Sequence, residues 1–325
     1  MFVLDSHCDT PSQMVEGRDL TIDNELAHID IPKLQRGGVD AAFFALYIPA
    51  EMDTDAAYTH ACNMYDAVVD MINSNPDKVA LTVSEDQAYE NKAKGLISIF
   101  LGLENASPIG DSLERVREFY DKGVRYITLC HSQDNLICDS CASEVKTWNG
   151  LSPFGREVVA EMNRLGMLVD VSHISDEAFY DVIKYSKKPV VATHSCCRAL
   201  ADHPRNMTDD MIRTLAANGG VIQINFYPVF LDTVFKNLPD SDEVIPSYKV
   251  IADHIDHVVQ LVGIDHVGIG SDFDGIDVTP DGMDDISQMP KLFEELRFRG
   301  YSEEDLSKLA SKNFFNAFSF SDAVQ

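Results

Sequence analysis

Short apolar runs recur along the chain and alternate with stretches in which apolar residues follow helical spacing. Each run is rich in Val, Ile, Leu or Phe, and most begin at Gly or Pro. Continuous apolar runs of this length are typical of strands that are buried on both faces. The pattern predicts eight strands, at residues 2–7, 38–48, 95–104, 123–131, 166–173, 189–195, 219–226 and 266–273.

The stretches between these runs have the apolar spacing of amphipathic helices. Ser175 and Thr208 occupy positions where N-caps are expected, and acidic residues follow each of them in the first turn. The predicted helices are residues 55–73, 84–93, 111–122, 155–165, 176–186, 208–218, 247–262, 287–299 and 302–317.

Alternating strands and helices imply a parallel sheet that is covered by helices. Eight such units favour a (β/α)8 TIM-type barrel in one domain, residues 1–325, with its active site at the C-terminal ends of the strands. A doubly wound open sheet is the second candidate, but no strand is followed by the Gly-x-Gly-x-x-Gly of a nucleotide site. Two long connections, residues 132–154 and 227–246, follow strand ends and are expected to flank the mouth of the pocket.

Residues that commonly bind metal ions stand at the ends of the predicted strands. In the first strand His7 and Asp9 are two residues apart and therefore point to the same face, while Cys8 points away. A lone His-x-Asp is weak evidence, but similar residues end five more strands. These are Glu104, His131, His173, His194 and Asp272. Because a barrel brings its strand ends together, the sequence predicts a metal centre.

The ligand types suggest how these residues would be shared between two divalent ions. Such ions, about 3.5–4 Å apart, need a shared carboxylate and further nitrogen and oxygen ligands. Glu104 is the natural bridge, with His7 and Asp9 holding one ion and His173 and His194 the other. Water bound to both ions would lose a proton near neutral pH and become the nucleophile.

The remaining polar residues at the strand ends are candidates for proton transfer. Asp272 could accept and return a proton, and His131 could donate a hydrogen bond to a developing oxyanion. Mixed nitrogen and oxygen ligands suit zinc, and they also suit manganese, cobalt or iron, so the ligand types do not select one metal. His254 and His257 are three residues apart on a predicted helix, but no matching ligand accompanies them, so no metal role is expected there.

Charge, apolar content and cysteine content restrict the binding partners and the cellular location that are expected for this protein. The chain has 53 acidic and 26 basic residues and a formal charge of −27, which repels nucleic acids and anionic membranes. No apolar stretch is as long as a membrane span and no leader precedes the first strand, so a cytoplasmic location is expected. Seven cysteines suggest reduced thiols, and Cys138 and Cys141 lack the second pair that a zinc site would need.

Ten short motifs occur together in one order, from about residue 2 to 318. They are residues 5–11 (DSHCDTP), 102–104 (GLE), 126–131 (YITLCH), 150–155 (GLSPFG), 161–167 (EMNRLGM), 170–173 (DVSH), 193–195 (THS), 205–206 (RN), 225–227 (NFY) and 268–275 (GIGSDFDG). In this order they resemble the motifs of the membrane (renal) dipeptidase family. Its members are binuclear-zinc peptidases of the amidohydrolase superfamily.

The resemblance implies roles for individual residues. By this resemblance, the expected metal ligands are His7, Asp9, Glu104, His173 and His194, with Glu104 bridging. Asp272 matches the catalytic acid/base, and His131 matches a histidine that contacts the oxyanion or the substrate. Arg205 matches the arginine that holds the C-terminal carboxylate of the dipeptide, a role suited to a guanidinium.

The same resemblance implies hydrolysis of free dipeptides, including those that end in a D-residue, two zinc ions per chain and a homodimer. The signal peptide, lipid anchor and disulfides of mammalian members are not expected here, and Phe230 stands where a tyrosine is expected. The alternative is hydrolysis of lactones, β-lactams or phosphotriesters. The branches associated with lactone and phosphotriester hydrolysis typically have His-x-His on the first strand and often a carbamylated lysine as the bridge. This chain has His7-x-Asp9 and Glu104 at those places. A non-catalytic homologue would be expected to lack ligands, and none is missing.

Overall fold

The computed structural model describes residues 1–232, 235 and 245–322 of the chain. Within these residues, parallel pairing joins nine strands into one sheet. The strands are β1 (Leu4–Cys8), β2 (Ala41–Tyr47), β3 (Val79–Leu81), β4 (Ile97–Glu104), β5 (Val124–Thr128), β6 (Leu168–Asp170), β7 (Val191–Ser195), β8 (Val221–Ile224) and β9 (Val267–Ile269).

Eight strands form a nearly closed barrel in the order β1-β2-β4-β5-β6-β7-β8-β9. Two backbone hydrogen bonds join the two ends of this series, from Asp9 N to Phe273 O at 2.9 Å and from Asp272 N to His7 O at 3.0 Å. The (β/α)8 TIM-type fold predicted from the alternating pattern is confirmed. The same hydrogen bonds hold the chain segments that carry His7, Asp9 and Asp272 side by side.

Helices cover the outside of the barrel, as the apolar spacing predicts. Ser175 and Thr208 are N-caps, and their hydroxyls accept hydrogen bonds from the backbone N–H groups of Ala178 and Met211. The described α-helices are Thr10–Val15, Ile31–Arg36, Thr54–Ser74, Glu85–Ala93, Leu113–Asp121, Pro153–Leu165, Asp176–Tyr185, Asp209–Ala217, Pro228–Leu231, Lys249–Val262, Met289–Phe298, Glu303–Ser307 and Asn313–Asp322.

Some elements differ from the predicted ones. Strand β3 is too short to give an apolar pattern, and it pairs with β4 outside the eight-stranded series. The helix predicted at 302–317 is interrupted by a π-helical segment, Lys308–Lys312, where the Ser311 hydroxyl donates to Phe2 O and ties the helix to the barrel. The predicted connection 227–246 begins with a short helix, and its residues 233, 234 and 236–244 lie outside the described part of the chain.

Alternate residues along β4 divide the barrel interior into layers. Phe100 lies in an apolar cluster at the N-terminal end, where it stacks on Phe43 with ring centres 4.7 Å apart and contacts the C-terminal helix through Phe315. Gly102 lies in the middle layer, and Glu104 lies at the C-terminal end of the strand. The apolar cluster therefore closes one end of the barrel and leaves polar side chains at the other.

Candidate metal centre and active site

Glu104 lies at the centre of a cluster formed by four strand ends. Its Oε2 is 3.3 Å from His7 Nε2, while its Oε1 is 3.0 Å from His173 Nε2 and 3.3 Å from His194 Nε2. Asp9 Oδ2 is 3.6 Å from His7 Nε2. The two oxygens of one buried carboxylate thus face two separate groups of donors.

These donors form overlapping sets that are compact enough for metal ions. The side-chain donor atoms of His7, Asp9 and Glu104 all lie within 4.8 Å of one another, and so do those of Glu104, His173 and His194. A third set combines His7 and His194 with Asp272, whose Oδ1 is 3.8 Å from His7 Nε2. The five ligands predicted from the strand ends therefore come together in space.

Tyr126 orients His7 towards the cluster. The tyrosine hydroxyl lies 2.8 Å from His7 Nδ1, so Nε2 is the nitrogen that faces Glu104. Gly102 makes room for this contact, because a Cβ at that position would overlap with the Tyr126 ring. Such a hydrogen bond fixes the orientation and the tautomer of a ligating histidine.

His194 is oriented in a similar way by its neighbour in the chain. Its Nδ1 lies 2.8 Å from Thr193 Oγ1, and Thr193 in turn donates a 2.7 Å hydrogen bond to Asp170. The Asp170 carboxylate is buried, and it also accepts hydrogen bonds from Thr128 and Ser172. This network turns His194 Nε2 towards Glu104 and towards His173 Nε2, which lies 2.9 Å away.

Several residues at the strand ends have left-handed backbone conformations. Asn105, His173, Asp272 and Asp274 have φ values of 72°, 71°, 63° and 67°. Each such conformation costs of order 1–3 kcal/mol for a non-glycine residue and persists where surrounding contacts enforce it. His173 therefore reaches the cluster from a turn beyond β6, although the sequence predicts it within the strand.

The lack of hydrogen-bond partners at two donor atoms fits a metal centre. His7 Nε2 and Asp9 Oδ1 are buried, and neither has a hydrogen-bond partner in the described part of the chain. Buried polar atoms without partners are costly unless a ligand satisfies them. The nitrogen and carboxylate donors are of the types that zinc and related divalent ions prefer.

The electrostatics of the cluster also favour a cation. Burial lowers the pKa of His173 and of His194 well below the usual range, which favours the neutral imidazole, the form of histidine that binds metal ions. Burial also opposes protonation of His7, but the carboxylates of Glu104 and Asp9 outweigh it and raise its pKa. The same two carboxylates that attract a proton to Nε2 would attract a metal ion there.

Asp272 lies beside the cluster and differs from the other carboxylates in its hydrogen bonding. Its Oδ2 accepts a 2.8 Å hydrogen bond from the Asn225 amide, while its Oδ1 faces His7. Burial raises the pKa of Asp272, and the negative charge of Glu104 raises it further against the influence of His7. A carboxylate with a raised pKa is suited to accept and release a proton.

His131 and Arg205 border the cluster in different ways. The ring centre of His131 is 4.3 Å from that of His173, its Nδ1 is buried without a partner among the described residues, and burial lowers its pKa. Arg205 is only 6% exposed and donates to Ser195 Oγ at 2.8 Å and to His194 O at 2.7 Å. Its Nε is buried and has no partner within the described ranges.

A cavity of about 380 Å³ opens onto this cluster. The residues that line it are Asp9, Ser12, Gln13, Glu16, Tyr47, Glu104, His131, His173, Tyr227, Phe230, Asp272, Asp274, Gly275 and Ile276. Phe230 connects the cavity to Arg205, whose guanidinium carbon lies 5.7 Å from the Phe230 ring centre. The connection at 132–154 borders a neighbouring cavity instead, through Asp134 and Trp148 among others.

The remaining candidates lie away from the cluster. His254 bonds to Leu231 O and to the Cys197 N–H, and His257 bonds to Asp209, so both have structural contacts. All seven cysteines, including Cys138 and Cys141, are free thiols. Tyr126, Thr193 and Asn225 were not singled out by sequence reasoning; their only signal is their position next to a predicted ligand or within a motif.

The fold and the cluster together define a class of protein. A parallel barrel that gathers histidines and carboxylates at the C-terminal ends of its strands is typical of metal-assisted hydrolases. The profile of the membrane dipeptidase family (peptidase family M19) matches residues 1–325. The chain belongs to this family and is a hydrolase of the dipeptidase type.

Individual relatives agree with this assignment. Dipeptidase verJ of Clonostachys rogersoniana is 36% identical over 298 residues, which cover 89% of this chain and 74% of that protein. An uncharacterized dipeptidase of Schizosaccharomyces pombe, C3A11.10c, is 33% identical over 96% of this chain and 78% of its own length. A metallopeptidase from Rhodobacter sphaeroides, solved with a phosphinate mimic of the dipeptide L-Ala-D-Ala, matches with a TM-score of 0.90 and 26% identity over 99% of both chains.

Across residues 1–232, 235 and 245–322, no helix combines the length and the apolar character that are needed to cross a bilayer.

Proposed function

We propose that this chain is a metal-dependent dipeptidase that binds two divalent ions, with zinc as the metal that suits the site best. The single observation that carries this proposal is the geometry of Glu104. Its two carboxylate oxygens face separate donor groups, His7 with Asp9 on one side and His173 with His194 on the other. A bridging carboxylate with two such groups is the arrangement that a two-metal site requires.

The proposed reaction divides among the residues of the site. Bound divalent ions would polarise the peptide carbonyl and lower the pKa of the water molecule that attacks it. Asp272 accepts a proton from the water at Oδ1, since Asn225 occupies its Oδ2, and returns the proton to the departing amine. His131 donates an imidazole N–H to the carbonyl oxygen as negative charge develops on it.

Arg205 is proposed to hold the C-terminal carboxylate of the dipeptide. Its unpartnered Nε and its position next to Phe230 support this role, because a buried guanidinium N–H gains most from an anionic acceptor. Phe230 lines the cavity next to Arg205 and stands where the family resemblance leads us to expect a tyrosine. The phosphinate mimic of L-Ala-D-Ala bound by the Rhodobacter sphaeroides relative makes dipeptides with a D-configured C-terminal residue a reasonable substrate class here.

A panel of free dipeptides tests the proposal. Zinc-loaded protein is expected to hydrolyse L-Ala-L-Ala or L-Ala-D-Ala but not N-acetylated or C-amidated analogues, and elemental analysis is expected to find two metal ions per chain. Release of free alanine gives the rate. Full metal loading without cleavage of any dipeptide would contradict the proposal and would direct attention to lactone, β-lactam or phosphotriester substrates.

Asp272→Asn separates metal binding from proton transfer. The amide keeps the shape of the side chain but cannot accept the proton, so kcat is expected to fall by roughly 10²–10⁴-fold. Metal content should stay at the wild-type value, because the five proposed ligands are intact. Unchanged turnover in this variant would exclude the role given to Asp272.

We further propose a homodimer in a reducing compartment such as the cytoplasm. Seven free cysteines support the compartment, and the dimer is an expectation from the family. The acidic charge argues against nucleic acids and anionic membrane surfaces as partners. Analytical ultracentrifugation at micromolar concentration tests the dimer, and a single monomer peak would contradict it.

A further inference from the structure

The first helix, Thr10–Val15, forms one wall of the substrate cavity. Ser12, Gln13 and Glu16 line this wall, at positions that lie on one face of a helical turn. The helix follows β1 directly, so the wall begins immediately after Asp9. Any side chain of a substrate residue bound near Asp9 would meet this wall.

Within this wall, Glu16 is the acidic residue whose charge is not neutralised. Asp274 also lines the cavity, but it forms a 2.6 Å ion pair with Arg18. Gln13 accepts a hydrogen bond from the same guanidinium. The Glu16 side chain is exposed and forms no hydrogen bond or ion pair with any residue in the described ranges.

The position of Arg205 fixes which end of a dipeptide would face this wall. Arg205 follows β7, and its neighbour Phe230 follows β8. In the barrel order β7 lies across from β2, against which the helix Thr10–Val15 packs, whereas β8 is separated from β1 only by β9. A dipeptide that is held by its C-terminal carboxylate at Arg205, with its peptide bond at the metal cluster, directs its N-terminal residue towards the side of the barrel that carries Glu16.

The cavity lining as a whole offers no competing cation. Its acidic residues are Asp9, Glu16, Glu104, Asp272 and Asp274, and neither lysine nor arginine is among its described residues. Three of these carboxylates belong to the metal donor sets, and Asp274 is paired with Arg18. The charge that remains for a substrate side chain is that of Glu16.

We propose that Glu16 is a specificity residue that selects dipeptides with a cationic side chain, lysine or arginine, at the N-terminal position. This inference rests on the proposed dipeptidase function and adds a substrate class to it. The four-carbon stem of a lysine allows its ammonium group to extend from the scissile bond towards the mouth of the cavity. The substrate α-amino group, which is much closer to the peptide bond, stays near Asp9 and Asp272.

The test compares two substrates that differ only in this charge. Lysyl-alanine and norleucyl-alanine have side chains of similar length, and only the first carries an ammonium group. With zinc-loaded wild-type protein at low ionic strength, kcat/KM is expected to be about five-fold higher for lysyl-alanine, which is the effect of a partly exposed ion pair. The preference should decrease in 0.5 M NaCl, because salt screens exposed charges.

Glu16→Gln is expected to reduce the ratio of the two kcat/KM values to near one, mainly through a higher KM for lysyl-alanine. Glu25→Gln is the matched control, because Glu25 is an exposed acidic residue on the same segment but lines a different cavity. The control should keep the wild-type ratio. Thermal melting of both variants verifies that the fold is intact.

Three kinds of result would contradict the inference, and each has a different meaning. Equal rates for the two substrates in the wild type, or a preference that survives in Glu16→Gln, would exclude Glu16 as the specificity residue while leaving the dipeptidase function intact. An equal loss for both substrates in Glu16→Gln would assign Glu16 to the α-amino group instead. Failure to cleave either substrate, or any dipeptide of the panel, would overturn the proposed function itself.

Discussion

Tyr126 determines which nitrogen of His7 is presented to the metal donors. Its hydroxyl lies 2.8 Å from His7 Nδ1, and both side chains are fully buried. Tyr126→Phe keeps the ring and removes only this contact, so we expect metal affinity to fall by about 10-fold with little loss of stability. Competition with a fluorescent zinc chelator measures the change. An affinity equal to that of the wild type would show that packing alone orients His7.

Asp274 joins the segment that carries Asp272 to the segment that carries Asp9. Its side chain is buried, its backbone is left-handed, and its carboxylate accepts hydrogen bonds from Thr10 Oγ1 at 2.9 Å and from Arg18 Nη1 at 2.6 Å. The next residue, Gly275, lies so close to Asp9 that a Cβ there would overlap with its carboxylate. Asp274 is therefore a positioning residue for both carboxylates.

Asp274→Asn leaves Arg18 without its charged partner and loosens this connection. We expect kcat to fall by about 10- to 100-fold, as small displacements of reacting groups do, while KM and metal content change little. Asp23→Asn is the matched control, because it breaks the exposed pair with Arg36 far from the site. If Asp274→Asn and Asp23→Asn have the same kcat and KM, Asp274 has no positioning role. The same conclusion follows if kcat of Asp274→Asn falls only in proportion to the fraction of protein that is folded.

At the scale of single elements, His254 links three parts of the chain. It lies on the helix Lys249–Val262, its Nδ1 accepts from the Cys197 N–H at 3.0 Å, and its Nε2 lies 3.0 Å from Leu231 O. The neutral imidazole satisfies both contacts, whereas a protonated ring would direct an N–H at Cys197. Burial accordingly lowers the pKa of His254 to about 4.

This shift makes the folded state sensitive to acid. The unfolded chain binds the proton at its ordinary pKa of about 6.5, so stability is lost as the pH falls below that value and levels off below about 4. The loss from this group amounts to about 3 kcal/mol. Urea unfolding between pH 7 and pH 4 measures it. His254→Gln should be less stable at pH 7 but should lose less stability on acidification; parallel curves for both proteins would contradict the assignment.

The elements were predictable from sequence to the extent that they depend on local pattern. The apolar runs and N-caps such as Ser175 give the alternation of strands and helices, and the parallel barrel follows from that alternation. Strand β3 was not predictable, because three residues are too few to show a pattern and its pairing with β4 depends on the assembled sheet.

The residues of the candidate site also fall into those that a local sequence pattern reveals and those that depend on the folded barrel. Residues that end a strand, such as Glu104 and His194, are recognisable because their type and their position in the pattern coincide. Tyr126 and Asp274 act through partners far away in the chain, His7 and Thr10, so their contacts depend on the closure of the barrel. Residue type alone contains no information about such a contact.

At the scale of the whole molecule, the barrel concentrates negative charge at one end. Asp9, Glu104 and Asp272 are buried within a few ångström of shared histidine partners, in a chain whose formal charge is −27. Burial and mutual repulsion raise the pKa of Asp9 and of Asp272. Without cations Asp9 and Asp272 oppose the folded state, because each charge is costly to bury unless it is compensated, whereas the histidines around Glu104 lower its pKa.

Metal removal is therefore expected to destabilise the protein and not only to inactivate it. A ligand that binds the native state alone stabilises it by about 4 kcal/mol per site at a concentration 1,000 times its Kd. EDTA should lower Tm by roughly 8–16 °C for each site that is loaded to this extent, since about 1 kcal/mol corresponds to roughly 2–4 °C in domains of this order of size, and added zinc should restore it. Glu104→Gln, which removes the shared carboxylate, should melt at nearly the same temperature with and without EDTA. A wild-type Tm that EDTA does not change, with metal loss verified by elemental analysis, would mean that the charges of the cluster are compensated within the chain itself.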